Sequence, residues 1–469
     1  MSRERAGAGT AEWARSGVMA LTGHPDGPPL VPPGTAAAFA DRISARLAAA
    51  TADSTHPLRV DGASLLAERA AFTGHHRRGR VSAGGAGRLL PTADGWAAVS
   101  CARPDDPPLL GALVGAALPD DPWPTVAAWV RTHTGAELAE RAALLGLAAA
   151  PVDPSPPRPL PAPGRPRSPA GLLVVDFSAL WAGPLCAQLL GLAGAHVVKV
   201  ETPQRLDGAR RGSPGFFRLL HAGHRSVLLD PTTAGGRRAM SALVDAADIV
   251  IEASRPRALA GFGLDAEASA RQGTIWVSVT ADGRDSPRVG FGDDVAAGAG
   301  LVARDADGQP VFCGDALADP LTGLFAAGLA LSAPVDGRGR LFDVAMSQVV
   351  SATLAPAQDS PTRDTPTPGR PAPDTRASAR PTRDTPAPDR PAPDLGAPGS
   401  SAGDAVSPGP PAPGSPARTA HRDGDGWAVD TSDGPVPVAA PRRRTVTGHA
   451  PEPGRHTDEV LRELRIPSP

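Results

Sequence analysis

Asp319-Pro320-Leu321-Thr322-Gly323 places one carboxylate at the mouth of an otherwise apolar, glycine-bearing segment. A carboxylate in such a place has the makings of a nucleophile. Local backbone physics alone reads Asp319 as a helix N-cap with Pro320 at the first helical position. The two readings are compatible, because a carboxylate at a helix N-terminus stays ionised, and neighbouring backbone N–H groups stabilise charge developing on a bound carbonyl. Upstream, Gly290-Phe291-Gly292-Asp293-Asp294 adds two more carboxylates among small residues. Other reactive residue types offer less. Cys101, Cys186 and Cys313 are far apart in apolar surroundings without CxxC spacing, as expected of reduced core thiols and not of a metal or redox site. His75-His76-Arg77-Arg78 reads as a solvated basic loop, with phosphate binding as its functional alternative.

These carboxylates need elements to hold them. From Gly171 the chain alternates short β-branched runs with helical stretches: strands at 172–177, 196–200, 226–230, 248–252 and 274–280, with helices from Pro184 and over 234–246. That pattern predicts an α/β fold with a doubly wound, largely parallel, Rossmann-like sheet. The segment from Leu321 to Leu331 is apolar nearly all round and should be a buried helix. Before this part lies a small α+β domain, residues 1–152, with helices expected at 36–50 and 125–130 and a strand at 95–99. A proline-dense linker, 153–169, joins it to the α/β domain, 170–354. Residues 355–425 carry Pro, Ala, Asp, Arg, Ser and Thr, with Pro361-Thr362-Arg363-Asp364-Thr365-Pro366 echoed at 381–386. Such a composition buries too little to form a core, so a long disordered Pro-rich linker is expected. A C-terminal segment, 426–469, should close with a helix from Thr457 to Leu464.

Composition narrows the partners. A chain of 469 residues with formal charge −2 and balanced acids and bases has no electrostatic footprint for nucleic acid or a membrane surface. No apolar window approaches a membrane span, and the start has no continuous apolar run, which together suggest a cytoplasmic protein. Lys199 is the single lysine among 47 basic residues, so arginine must do nearly all phosphate recognition. The first strand is not followed by GxGxxG, which gives no indication of nicotinamide.

Leu173-Val174-Val175-Asp176-Phe177, Trp181-Ala182-Gly183-Pro184 and Leu190 to Glu201 resemble the opening of family III CoA-transferases. This family is of the CaiB/BaiF type, and its superfamily includes formyl-CoA and carnitinyl-CoA transferases and α-methylacyl-CoA racemases. Further blocks follow in family order: Asp207 with Arg210, His224 to Asp230, Ala247 to Glu252, Gly263-Leu264-Asp265, Gly292-Asp293-Asp294, Asp319 to Gly323, and Gly337-Arg338-Gly339-Arg340 before Phe342-Asp343-Val344. Gly454 to Leu464 is similar to the family's closing helix, while Thr92 to Trp96 and Thr132 to Val152 resemble the small domain that normally follows the nucleophile. Here that domain comes first, in a permutation-like order, and a linker with an extended reach on the order of 200 Å would let it dock near Asp319.

The resemblance implies that Asp319 is the catalytic nucleophile of CoA transfer between an acyl-CoA donor and a carboxylic acid acceptor, through a covalent aspartyl intermediate. It also implies that Trp181, Ala182, Leu229 and Arg288 contact the cofactor portion, that CoA or acyl-CoA is substrate with no permanently bound cofactor or metal, and that the protein is a homodimer. Thr202 and Gly261 stand where some members carry CoA-binding arginines, and Ala253-Ser254 replaces an Asn-aromatic pair. Two alternatives belong to the same fold. An acyl-CoA racemase needs an acid/base partner, usually histidine, yet none occurs between His224 and His421, leaving Asp293 as base. A degenerate member would bind CoA without turnover.

Overall fold

A six-stranded, all-parallel sheet forms the centre of the computed structural model, which describes residues 9–154, 156–254, 256–354 and 419–469. The first of its elements come early in the chain. They are α1 (Thr10–Ser16), α2 (Ala36–Ala50), α3 (Gly62–Leu65) and α4 (Glu68–Thr73), followed by β1 (Gly87–Pro91), β2 (Trp96–Ser100), α5 (Asp106–Val114), α6 (Trp123–Val130), α7 (Gly135–Leu145) and β3 (Ala148–Pro151). Next are β4 (Leu173–Asp176), α8 (Ala182–Leu192), β5 (His196–Glu201), α9 (Pro214–His221), β6 (Arg225–Leu228), α10 (Ala234–Ala246), β7 (Ile249–Glu252), α11 (Pro256–Gly261), α12 (Ala266–Arg271) and β8 (Ile275–Thr280). The last group is α13 (Gly292–Gly298), β9 (Val302–Arg304), β10 (Pro310–Phe312), α14 (Ala318–Ala330), β11 (Arg340–Ala345), α15 (Met346–Leu354), β12 (His421–Asp423), β13 (Gly426–Thr431), β14 (Gly434–Pro437) and α16 (Thr457–Glu463).

Sheet order is β11-β8-β7-β4-β5-β6, the reversal at β4 being that of a doubly wound fold. Its strands are β-branched because both faces are covered: Ile249, Val250 and Ile251 of β7 are all fully buried. The β6 edge is closed by α16, where Thr457 Oγ1 accepts from the Leu228 N–H at 3.0 Å and His456 Nδ1 accepts from the Ser226 N–H at 3.0 Å. A covered edge cannot recruit a further strand.

Residues before 152 divide between two cores. The antiparallel β1-β2-β3 sheet with α5 to α7 has a separate apolar cluster around Leu110, Val126 and Leu138. Residues from Trp13 to Ala70 instead share one continuous core with α8, α14 and the central sheet. There Phe39 of α2 lies 6.0 Å from Phe325 of α14. The proline-dense connection runs along the α/β part, with the Gly164 N–H bonded to Ser332 Oγ at 2.8 Å and the Arg167 N–H to the Leu331 carbonyl at 2.7 Å. Of the low-complexity stretch expected over 355–425, residues 355–418 lie outside the described residues, while 421–423 are strand β12.

Helix α14 is buried as its composition demands, and Gly323 lets it approach α8 closely: a Cβ there would stand 2.4 Å from the Ala182 carbonyl oxygen. Among the described residues no helix is long and apolar enough to cross a membrane, and no His/Cys/Asp/Glu group has metal-binding geometry. Cys186 and Cys313 are buried free thiols, whereas Cys101 is half-buried.

Candidate active site

Asp319 occupies the second residue of α14, two residues inside the position expected from its sequence. Leu317 is the N-cap, so Asp319 does not cap the helix and Pro320 is its third residue. The cause lies just upstream. Ala316 takes a left-handed conformation (φ 48°) and its carbonyl accepts the Asp319 N–H at 2.9 Å, which starts the helix earlier. The freed side chain turns to α13 instead, where Asp319 Oδ2 accepts from the Gly292 N–H at 3.2 Å. Its other oxygen, Oδ1, accepts no hydrogen bond among the described residues.

Gly292 is required by this approach, because a Cβ would lie 2.3 Å from the Ala316 carbonyl oxygen and 2.4 Å from Asp319 Oδ2. Asp293 closes the same corner, its Oδ1 accepting the Ala316 N–H at 2.8 Å. Asp294 is fully buried and turns towards the small sheet, accepting from Ser100 Oγ and from the Phe291 N–H, each at 2.9 Å. Ser100 ends β2, so the small α+β unit is fastened to α13 beside the nucleophile candidate.

Two groups that sequence reasoning passed over dominate the electrostatics. Asp315 is fully buried and forms a fork with Arg69 of α4: Nε to Oδ2 is 2.9 Å and Nη2 to Oδ1 is 2.5 Å. His75 Nδ1 lies 3.2 Å from the same Oδ2. The basic loop is therefore docked and not solvated at His75, and Arg77 likewise donates to the carbonyls of His24 and Gly27 at 2.9 and 2.8 Å. Burial works against the Asp315 charge, but Arg69 and His75 outweigh it and hold this carboxyl well below the usual range. Burial likewise opposes the Arg69 charge, and Asp315 more than compensates.

Asp319 has the opposite balance. Burial pushes it up to about 7; Arg69 opposes the rise, and Asp293 adds to it. Asp293 is pushed up to about 6 by burial and the Asp315 charge, and Asp294 to about 6 by burial against the pull of Arg288. Three raised carboxyls beside one depressed carboxyl sort the cluster by role. Asp315 is the permanent anion that anchors Arg69, while Asp319 exchanges a proton near neutral pH.

The remaining expected residues fall at different distances from this centre. Trp181 is the N-cap of α8, 2% exposed, with Phe216 edge-on at 5.2 Å and the Arg69 guanidinium over its ring at 4.9 Å. The turn before it is pinned from beneath. Lys199 Nζ donates to the Ser178 carbonyl at 2.5 Å and pairs with Asp207 at 3.1 Å, and Asp207 accepts the N–H of Leu180 (φ 70°) at 2.9 Å. Ala182 is buried against α14 at Gly323. Leu229 lies in the other core, with Val200, Val227 and Met240, and has no contact with Asp319. Arg288 faces Asp294 electrostatically, and its Nε and Nη2 are buried without hydrogen-bond partners.

Arg69 had one local sign in the sequence, a charged Glu68-Arg69 pair inside the apolar run Leu65 to Phe72. Its partner, 246 residues away, had none.

Comparison with known proteins bears on this geometry. The family model described as CoA-transferase family III matches residues 170–385. A succinate–glutarate CoA-transferase of Agrobacterium fabrum is 31% identical over 40% of this chain and 52% of its own. A formyl-CoA:oxalate CoA-transferase of Escherichia coli O6:H1 is 33% identical over 33% of this chain and 40% of its own. The crystal structure of a CaiB/BaiF family protein from Brucella suis aligns with TM-score 0.36 and 30% identity over 41% of this chain and 56% of that one. The chain thus spans about half the length of the relatives it matches. Residues 170–385, the part that holds Asp319 and the central sheet, are thus similar to CoA-transferase family III.

Proposed function

We propose that the protein is a CoA-transferase in which Asp319 is the nucleophile. The observation that carries this reading is the state of its carboxylate: one oxygen is held by the Gly292 N–H while the other is free of hydrogen bonds among the described residues, within the electrostatic reach of the Arg69 guanidinium. In the proposed sequence the free oxygen attacks the donor thioester carbonyl, the C–S bond breaks, and CoA leaves as thiolate. The thiolate then attacks the aspartyl carbonyl of the mixed anhydride, which releases the donor acid and leaves an aspartyl thioester. An acceptor carboxylate reverses both steps. One thioester replaces another, so the exchange is close to thermoneutral and draws on no nucleotide hydrolysis.

Pieces of the chain support the reading in distinct ways. The Gly292 N–H and the start of α14 provide positive potential where the oxyanion of each tetrahedral species would form. Trp181, on its pinned turn, and Ala182 behind it would border the pantetheine path. The unpaired nitrogens of Arg288 are suited to a phosphate or carbonyl of CoA. Leu229 would serve this site only through the packing of the sheet.

The test is peptide mass spectrometry after incubation with acyl-CoAs and hydroxylamine, which converts an activated carboxyl to a hydroxamate. The relatives' names suggest starting with succinyl-CoA and glutarate, then formyl-CoA and oxalate. A hydroxamate on Asp319 that requires acyl-CoA is the expected result. CoA binding without any modification across the panel would reject the nucleophile.

A further inference from the structure

We propose that Arg69, supplied by the segment ahead of the CoA-transferase part, is the carboxylate-binding residue for the acceptor acid; this rests on the transferase reading above. Its guanidinium is fixed on two sides. Nε and Nη2 are forked onto buried Asp315, and the plane is covered by the Trp181 ring at 4.9 Å. The third nitrogen, Nη1, makes no hydrogen bond among the described residues, and the side chain stays 24% exposed. A structural ion pair accounts for the fork but not for the unused edge, and the fork partner Asp315 directly precedes Ala316, whose N–H is held by Asp293 and whose carbonyl accepts the Asp319 N–H.

Charge gives that edge a task. A carboxylic acid approaching an ionised Asp319 meets a like charge, and a cation must offset it. In the free protein Asp319 draws on Arg69 itself. Once Asp319 has become a neutral thioester that draw ends, and the acceptor carboxylate takes its place on Nη1. One acceptor oxygen is then held by Arg69 while the other attacks the aspartyl carbonyl, breaking its C–S bond and releasing CoA thiolate. The thiolate next attacks the acceptor carbonyl, breaking the bond to the Asp319 oxygen and restoring the Asp319 carboxylate. By reversibility the same edge holds the donor acid as it departs. His75, on the far oxygen of Asp315, helps to keep the fork in place.

The experiment compares two nucleophiles on the same aspartyl thioester: a short mono- or dicarboxylic acid, which restores Asp319, and hydroxylamine, which carries no carboxylate and ends the cycle as a hydroxamate on Asp319. Arg69→Lys keeps a charge for Asp315 but loses the planar third nitrogen. Hydrogen bonds to charged groups are worth about 1.5–3 kcal/mol, so the ratio of acid turnover to the rate of hydroxamate formation should fall by about 10–100-fold, mainly through the acceptor KM. A purely structural role slows both reactions alike, and an unchanged ratio overturns the proposal. If Arg69→Lys fails to fold, the pair Arg69→Gln with Asp315→Asn removes both buried charges together and is measured in the same way. Wild-type protein that yields no hydroxamate on Asp319 overturns the transferase reading and this one with it, whereas hydroxamate with an unchanged ratio removes the Arg69 role alone.

Discussion

Asp319 is asked to ionise where ionisation is costly, and two consequences of opposite sign follow from its pKa of about 7. The proposed attack requires the carboxylate, so kcat/KM for the donor should rise with pH through about 7, with only about a tenth of full activity at pH 6. A pH–rate profile flat between 5 and 8 would contradict this. Stability runs the other way. A carboxyl whose folded pKa lies above its unfolded value contributes stability that is complete below about pH 4 and lost as pH rises through about 7. Asp319→Asn keeps an oxygen for the Gly292 N–H and removes the charge. It should abolish the acyl-CoA-dependent hydroxamate, lower turnover by a factor of about 1,000 or more, and still raise Tm by a few degrees at pH 8. That Tm gain should vanish below pH 4, which differential scanning calorimetry at both pH values would reveal. The carboxylate itself was visible in the sequence because it stands out in an apolar run. Its role as second helical residue was not, since the left-handed turn at Ala316 that starts the helix early has no signature in an alanine.

Elements were legible where a local period recorded burial. Five of the six strands of the central sheet announced themselves as β-branched runs because parallel strands are covered on both faces, and α14 did so by being apolar on every side. Strand β11 carries Arg340 and Asp343 in its run, and its pairing with β8 is fixed by position at the sheet edge more than by pattern. What no period records is how nearly two elements touch. The α13–α14 corner and the α8–α14 crossing each depend on one glycine, and the two make separable predictions. Gly323→Ala forces a methyl against the Ala182 carbonyl and should cost about 1–3 kcal/mol of stability. Gly292→Ala forces a methyl against both the Ala316 carbonyl and Asp319 Oδ2, so it displaces the proposed nucleophile as well. It should lower kcat/KM by about 100-fold or more at temperatures where the variant remains folded. Equal activity losses in the two variants, measured well below their melting temperatures, would show that the Asp319–Gly292 contact has no special part in turnover.

At the scale of the whole molecule, three stretches far apart in sequence converge at helix α4. The early stretch brings α4 with Arg69, the middle brings Trp181 and Asp315, and the late stretch brings Arg444. Arg444 forks onto buried Glu68, the residue before Arg69, with Nε to Oε1 at 2.9 Å and Nη2 to Oε2 at 2.7 Å, and its Nη1 donates to Gln188 of α8 at 3.0 Å. The order of these stretches hid the convergence, because a buried pair at positions 68 and 444 leaves no local pattern in either. Residues from Trp13 to Ala70 also share their core with α8 and α14, so a proteolytic nick between 153 and 163 should leave fragments that co-elute on gel filtration. Free separation of the first 152 residues would contradict a site completed by Arg69. Arg444→Met tests the strap directly. It leaves Glu68 buried without its cation, which typically costs about 3–5 kcal/mol. Adding Glu68→Gln removes the stranded charge and should recover part of the lost Tm. The double variant would still lack the fork that sets α4 against α8, so its ratio of acid turnover to hydroxamate formation should stay below that of the wild type even where its stability is restored. A double variant equal to the wild type in that ratio would mean that α4 holds Arg69 in place by packing alone.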